Sequence, residues 1–191
     1  MKDGTIGLFI PCHFYQTGGL LTSLAPFVPT PIEIVKKMLE IASVRQEDTV
    51  FDIGCGDGRI LIIAIKDFNA KKAVGFEIRE DLYNRAMQEV KKQGLEDRIS
   101  IVNGNALDGD ISEATVITLY LTTFGNEKLK PKLGNEACMG TRIISHSFVF
   151  SDWHLSKSEV YFEHKLYLYT IPEALLIQDT KPSLLKRLNP F

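Results

Sequence analysis

The stretch Phe51-Asp52-Ile53-Gly54-Cys55-Gly56-Asp57-Gly58 decides the fold of this 191-residue chain. It closes a short apolar run that begins at Thr49 and leads into a second run, Arg59 to Phe68, that is apolar almost all round. A short run ending in glycines reads as a strand, and a longer one of this kind as a helix packed tightly on a sheet. Glycines at i, i+2 and i+4 between the two leave a main chain without Cβ atoms, which a ligand can approach closely, ahead of the free amides of a helix N-terminus. A nicotinamide fingerprint, GxGxxG, needs its third glycine where Arg59 stands, which counts against a dehydrogenase. Asp57 and Arg59 read as a pair that caps or bridges the start of the helix, and Cys55 as a small filler of the loop.

Outward from this loop the same alternation repeats. Upstream, Thr30-Pro31-Ile32-Glu33 reads as a helix start with Thr30 as N-cap, Pro31 in the first helical position and Glu33 as capping-box acid. The helix runs to about residue 43 on an apolar stripe of Val35, Met38, Leu39 and Ala42. Downstream, Ala73–Ile78 is a second strand. Asp81–Lys92 is a helix carrying Leu82, Ala86 and Val90 on one face and stopped by Gly94. Ile99–Val102 is a third strand, and Ala114–Leu121 a fourth, apolar enough to be central and covered on both faces. Asn126–Leu133 reads as a charged surface helix. Thr141–Ser147, Glu159–Phe162 and Lys165–Ile171 supply three more strands, the last two spaced to pair as a hairpin. The expectation is an α/β, doubly wound, Rossmann-like sheet of seven strands, mostly parallel with an antiparallel C-terminal strand, and helices on both faces. The domain reading is an N-terminal arm over 1–25, a catalytic domain over 26–171 and a tail over 172–191. In the tail, Leu184, Leu185 and Leu188 suggest a short amphipathic helix.

Composition narrows the class. Apolar residues are 45% and charged residues 24%, the balance of a globular domain, and the formal charge of -2 gives no uniformly positive surface for nucleic acid. Cys12, Cys55 and Cys138 form no CxxC pair and are odd in number, which speaks for a reducing, cytoplasmic setting without zinc. The apolar stretch from Ile6 to Val28 is broken by His13, Gln16, Thr17, Gly18 and Gly19, too early for a membrane span. It reads as an ordered arm rather than a signal or anchor.

Glu77 closes the second strand 23 residues after Gly54, where a carboxylate can accept hydrogen bonds from both hydroxyls of a ribose. Asn105 ends the third strand on the same edge, where its amide can meet a base. The Asp52-to-Gly58 loop followed by Glu77 and Asn105 resembles the class I S-adenosylmethionine-dependent methyltransferases over about residues 26 to 171. That resemblance implies S-adenosylmethionine as cofactor. Asp52, Gly54, Gly56 and Gly58 would hold its methionyl end, Glu77 its ribose and Asn105 its adenine; Thr30, on the approach to the first helix, joins them as a cofactor contact.

The acceptor is narrowed by missing motifs. Thr118-Leu119-Tyr120-Leu121 stands where base N-methyltransferases carry [ND]-P-P-[FY]. Pro11-Cys12 matches a cytosine-methylating dipeptide but precedes the glycine loop, and reads as coincidence. Asp108 and Asp110 read as ordinary loop acids rather than metal ligands. The stretches Pro26 to Pro31, Thr115 to Leu121, Asn126 to Leu133, Gly140 to His146 and Asp152-Trp153 together resemble the archaeal seven-strand protein lysine methyltransferases. Their eukaryotic relatives modify the mitochondrial ATP synthase c subunit and adenine nucleotide translocase. The resemblance implies methyl transfer to lysine in a protein partner, with no nucleic acid. A small-molecule or RNA acceptor on the same fold, and a non-catalytic binder, are the rival readings. Phe27, Tyr120, Phe124, His146 and Trp153 are the candidate acceptor-channel residues, and of the residues proposed as catalytic (Tyr120, Trp153, Phe124, His146) Tyr120 and Trp153 are favoured.

Overall fold

The computed structural model describes residues 23–176. The expectations for residues 1–22, Pro11-Cys12 included, and for the leucines of the tail lie outside the described residues. Within them the order is α1 (Ile32–Ile41), β1 (Thr49–Ile53), α2 (Arg59–Lys66), β2 (Lys72–Glu77), α3 (Glu80–Lys92), β3 (Ile99–Asn103), β4 (Val116–Leu119), α4 (Thr123–Glu136), β5 (Arg142–His146), β6 (Lys157–Tyr161) and β7 (His164–Thr170). One turn of 3-10 helix, Glu173–Leu175, follows.

The seven strands lie in the order β3-β2-β1-β4-β5-β7-β6. Pairing is parallel from β3 to β5; β7 runs antiparallel to both β5 and β6, so a single strand opposes the rest. The strand order reverses between β1 and β4. Ligands of open α/β sheets bind outside the carboxyl ends of the strands at such a point. All four residues of β4 are buried, as its continuous apolarity predicts, although the strand is shorter than the apolar run.

The faces are covered unequally. Ile34, Val35, Met38 and Leu39 of α1, Leu61 and Ala64 of α2, and Ala86 and Val90 of α3 pack on one face. On the other, Leu129 and Leu133 of α4 share the cover with Ile111, Phe150 and Ala174 from connecting segments.

Two helix starts differ from expectation. Pro31, not Thr30, takes the N-cap position of α1, and no side chain caps it. The Thr30 carbonyl accepts from Arg59 instead (2.9 Å). Helix α4 begins three residues before the expected Asn126, because the Thr122 hydroxyl accepts from the Gly125 amide (3.0 Å). Asn126 thereby falls on the inner face and is fully buried, so the helix presents only one charged side to solvent.

Candidate active site

At the strand-order reversal, Asp52 of β1 and Thr118 of β4 are register partners. The Thr118 hydroxyl donates to Asp52 Oδ1 (2.7 Å), and Oδ2 accepts no hydrogen bond from the described residues. Burial drives the Asp52 carboxyl up to about 7; Thr118 pulls it down, while the charges of Glu77 and Asp57 add to the rise. A carboxylate held in this way binds a cation more readily than a neutral group.

The glycine loop runs past it with positive φ at Gly54 (79°), Gly56 (56°) and Gly58 (77°). The left-handed region explains the residue type at each position. At Gly56 a second reason applies, since a Cβ there would lie 2.5 Å from the Phe27 ring. The loop is tied to β2 by main chain: the Gly54 and Cys55 amides both donate to the Phe76 carbonyl (2.8 and 3.0 Å). Glu77 completes the tie. Its Oε2 accepts from the Gly56 amide and its Oε1 from the Arg79 amide, both at 2.9 Å. Each carboxylate oxygen keeps a second lone pair, so two hydroxyls can still be received. Gly58 is the N-cap of α2. Asp57 and Arg59 form a two-point ion pair (2.9 and 2.6 Å), the pairing that the sequence suggested, and it holds the Asp57 carboxyl below its ordinary range despite burial.

One cleft gathers these groups. It is lined by Asp52, Gly54, Gly56, Glu77, Asn105, Tyr120 and Thr30, and roofed by the segment from Ser23 to Pro29. That segment is fastened by the Thr122 hydroxyl, which donates to the Leu24 carbonyl (2.9 Å). Gly58 is the one proposed loop glycine that sits at the helix start rather than in the wall. Asn105 Oδ1 accepts from the Leu107 amide (3.0 Å), closing its own turn and leaving the NH2 group uncommitted by this bond.

The four candidate catalytic residues separate. Tyr120 lines the cleft and packs at a tilt against His146, ring centroids 3.9 Å apart and planes at 36°. His146 is fully buried behind it, and its Nε2 lies 2.8 Å from Nδ1 of His164. Burial, helped by His164, lowers the His146 pKa to about 4, so the ring is neutral at pH 7. Trp153 and Phe124 are not in the cleft. Trp153 stacks on Phe150 (4.6 Å) and meets Tyr169 edge-on (5.9 Å), within the apolar layer on the α4 side. Phe124 is 64% exposed on α4, with Lys128 Nζ 4.4 Å above its ring.

Sequence reasoning missed Thr118, His164 and the roofing role of residues 23–29. A hydroxyl inside the otherwise apolar run of β4 was a usable signal for Thr118. His164 gave none, since its partner lies on another strand.

The fold and this cleft define an α/β protein that binds an adenosine-type cofactor at the reversal of its strand order. The ANTKMT methyltransferase domain family matches residues 52–157. A protein-lysine N-methyltransferase of Saccharolobus islandicus is 50% identical over 152 residues, covering 78% of this chain and 94% of that one. A lysine N-methyltransferase of the ATP synthase c subunit, from Xenopus laevis, is 27% identical, covering 67% of this chain and 55% of that one. An RNA methyltransferase from Salinibacter ruber, solved with S-adenosyl-L-homocysteine, superposes with a TM-score of 0.74 at 40% identity and covers 76% of this chain and 95% of that one. The chain belongs to the ANTKMT methyltransferase domain family and is an S-adenosylmethionine-dependent methyltransferase. The cleft fits that cofactor: it offers the Asp52 carboxyl, whose Oδ2 takes no hydrogen bond from the described residues and which a cation would hold ionised, a second carboxylate with spare lone pairs, and a wall without Cβ atoms at Gly54 and Gly56.

Proposed function

We propose that this chain methylates the side-chain amine of lysine in proteins. The observation that carries the reading is the 50% identity, over 94% of its length, to a relative named as a protein-lysine N-methyltransferase. When bound, S-adenosylmethionine supplies an electrophilic methyl group on a cationic sulfur. In this reading Asp52 faces the cationic methionyl end, Gly54 and Gly56 admit it, and Gly58 presents the start of α2. Glu77 takes the ribose hydroxyls, Asn105 the adenine edge, and Thr30 closes the wall beside the roofing segment from Ser23 to Pro29.

The acceptor side works mainly by placement and desolvation. Alignment of an amine with the methyl can supply roughly 7 to 11 kcal/mol. A lysine of pKa about 10.4 must first lose its proton, a cost of about 4.6 kcal/mol at pH 7 that an apolar, aromatic wall reduces by disfavouring the charge. Tyr120 forms that wall, and the neutral His146 behind it adds no positive charge.

A cytoplasmic setting accords with the cysteine pattern, and among the described residues no helix is long and apolar enough to cross a membrane. A protein rather than a nucleic-acid partner accords with the net charge of -2. The RNA methyltransferase among the structural relatives is the reason to keep an RNA acceptor as the second reading. Incubation of the protein with labelled S-adenosylmethionine and cell extract, treated in parallel with protease or ribonuclease, separates the two. Methyl-lysine found by mass spectrometry is the expected result. Label that ribonuclease removes and protease leaves would establish the RNA reading.

A further inference from the structure

The roof of the cleft, Ser23 to Pro29, is fixed at three places. Thr30, which follows it, gives its carbonyl to Arg59 of α2 (2.9 Å). The Phe27 ring lies on the glycine loop after β1, so close that a Cβ on Gly56 would come within 2.5 Å of it. At the far end the Thr122 hydroxyl donates to the Leu24 carbonyl (2.9 Å). The strand order β3-β2-β1-β4 puts this end on the Tyr120 and Leu121 side of the cleft, away from Glu77 and Asn105.

The Leu24 end carries a residue that helix α4 alone does not call for. Gly125 sits in the first turn of α4 with an ordinary helical backbone rather than a positive φ, and there alanine is the better helix former. What excludes a side chain is the roof. A Cβ on Gly125 would stand 2.7 Å from the Leu24 carbonyl oxygen and 3.1 Å from the Cβ atoms of Leu24 and Leu121. The nearest of these is main chain, which cannot rotate aside as a flexible side chain can. The Gly125 amide meanwhile donates to the Thr122 hydroxyl (3.0 Å), so a single hydroxyl accepts from α4 and donates to the roof.

We propose that Thr122 and Gly125 form a clasp that positions the acceptor: by seating Leu24 against α4 they set the gap between the roof and Tyr120 through which the amine enters. This rests on the lysine reading above. In that reading the methionyl end lies on Asp52 and the glycine loop of β1, which leaves the β4 side, with Tyr120, for the acceptor. Leu24, Leu121 and Tyr120 all line the cleft, and Leu24 also packs on the apolar layer beneath α4. An apolar entrance accommodates the methylene stem of a lysine and disfavours a charged head within it. Alignment there is sensitive to the wall, since a misplacement of about 1 Å can cost about 100-fold in rate. Thr122 and Gly125 act through Leu24 and are positioning residues.

Gly125→Ala tests the clasp, because it adds one methyl group, keeps the amide that meets Thr122 and suits the helix. Methyl-lysine formation is expected to fall about 100-fold in kcat, with calorimetric affinity for S-adenosylmethionine within about threefold of the parent. Thr122→Ser keeps the hydroxyl and should stay within about threefold of the parent kcat, whereas Thr122→Val should lose about as much as Gly125→Ala. Amide hydrogen exchange over residues 24–28, read without any acceptor, should be about tenfold faster in Gly125→Ala. A kcat for Gly125→Ala within about threefold of the parent, a cofactor affinity that falls in step with kcat, or a Thr122→Ser as impaired as Thr122→Val overturns the clasp. A parent enzyme that forms no methyl-lysine in cell extract overturns the lysine reading, and unchanged exchange in Gly125→Ala still overturns the clasp by itself.

Discussion

On the β1–β3 side of the cleft the chain works with main chain: the Gly54, Cys55 and Gly56 amides are fastened to Phe76 and Glu77, the Gly104 amide donates to the Glu77 carbonyl, and positive φ falls on glycines. On the β4–β7 side it works with side chains. Tyr120, His146, Phe148 and His164 lie ring against ring, and positive φ falls on Ser147, Phe162 and Glu163. The segment after β5 is held there by Asn126, whose NH2 donates to the Phe148 carbonyl (3.1 Å), and by Glu127, which accepts from the Ser151 amide (2.9 Å). A main-chain site tolerates few residue types at few positions. A side-chain site depends on which strands become neighbours, and the contrast between them can be probed from either half.

Glu77→Gln strikes the main-chain half hardest. A carboxamide has one oxygen and puts NH2 against an amide that also donates, so either Gly56 or Arg79 loses its acceptor. Cofactor affinity measured by calorimetry should fall about 100-fold, the size of one or two charge-assisted hydrogen bonds. A loss below threefold would mean that the loop keeps its shape without the carboxylate.

The charge at the boundary of the halves gives a pH signature. Asp52 titrates near 7, so below that pH it takes a proton, and affinity for a cationic cofactor should drop by about tenfold per unit. Stability of the ligand-free protein follows the opposite sign. A carboxyl whose folded pKa is raised contributes stability below its unfolded value near 4, and that contribution is lost as pH climbs to 7. Asp52→Asn, which can still accept from Thr118, should therefore raise the melting temperature of the ligand-free protein at pH 8. The upper bound is on the order of 4 kcal/mol. The same variant should bind the cofactor weakly at every pH. A lower melting temperature would show that Asp52 is ionised against a positive group.

Trp153→Phe should have the smallest effect on turnover. The ring packs on Phe150 and Tyr169, so trimming it costs stability of about 1 to 2 kcal/mol in thermal unfolding and leaves kcat within twofold. A tenfold fall in kcat would return Trp153 to the acceptor path and blur the contrast.

How much was readable differs between the halves in the same way. Gly54, Gly56, Glu77 and Asn105 could be placed from spacing along one βαβ unit, because each is carried by the strand end or turn that the spacing itself defines. Tyr120 lines the cleft for the same reason, as the residue that follows a central strand. Trp153 and Phe124 lie outside the cleft in the structure, because sequence position after a strand says nothing about whether a loop folds toward the cleft or onto the opposite face. Thr30 was assigned a cap that Pro31 took over, since the Thr30 carbonyl was claimed by Arg59 from another helix.

By itself the order of apolar runs and glycines determined a doubly wound sheet with a cofactor loop at its middle, because strand and helix periods and the need for positive φ are local properties of the chain. Only the tertiary structure decided that β7 would bring His164 to His146, that Thr118 would hold Asp52, and that the segment before α1 would roof the cleft. Each of these contacts joins residues far apart in sequence, and burial against a specific neighbour, rather than any local preference, selects it.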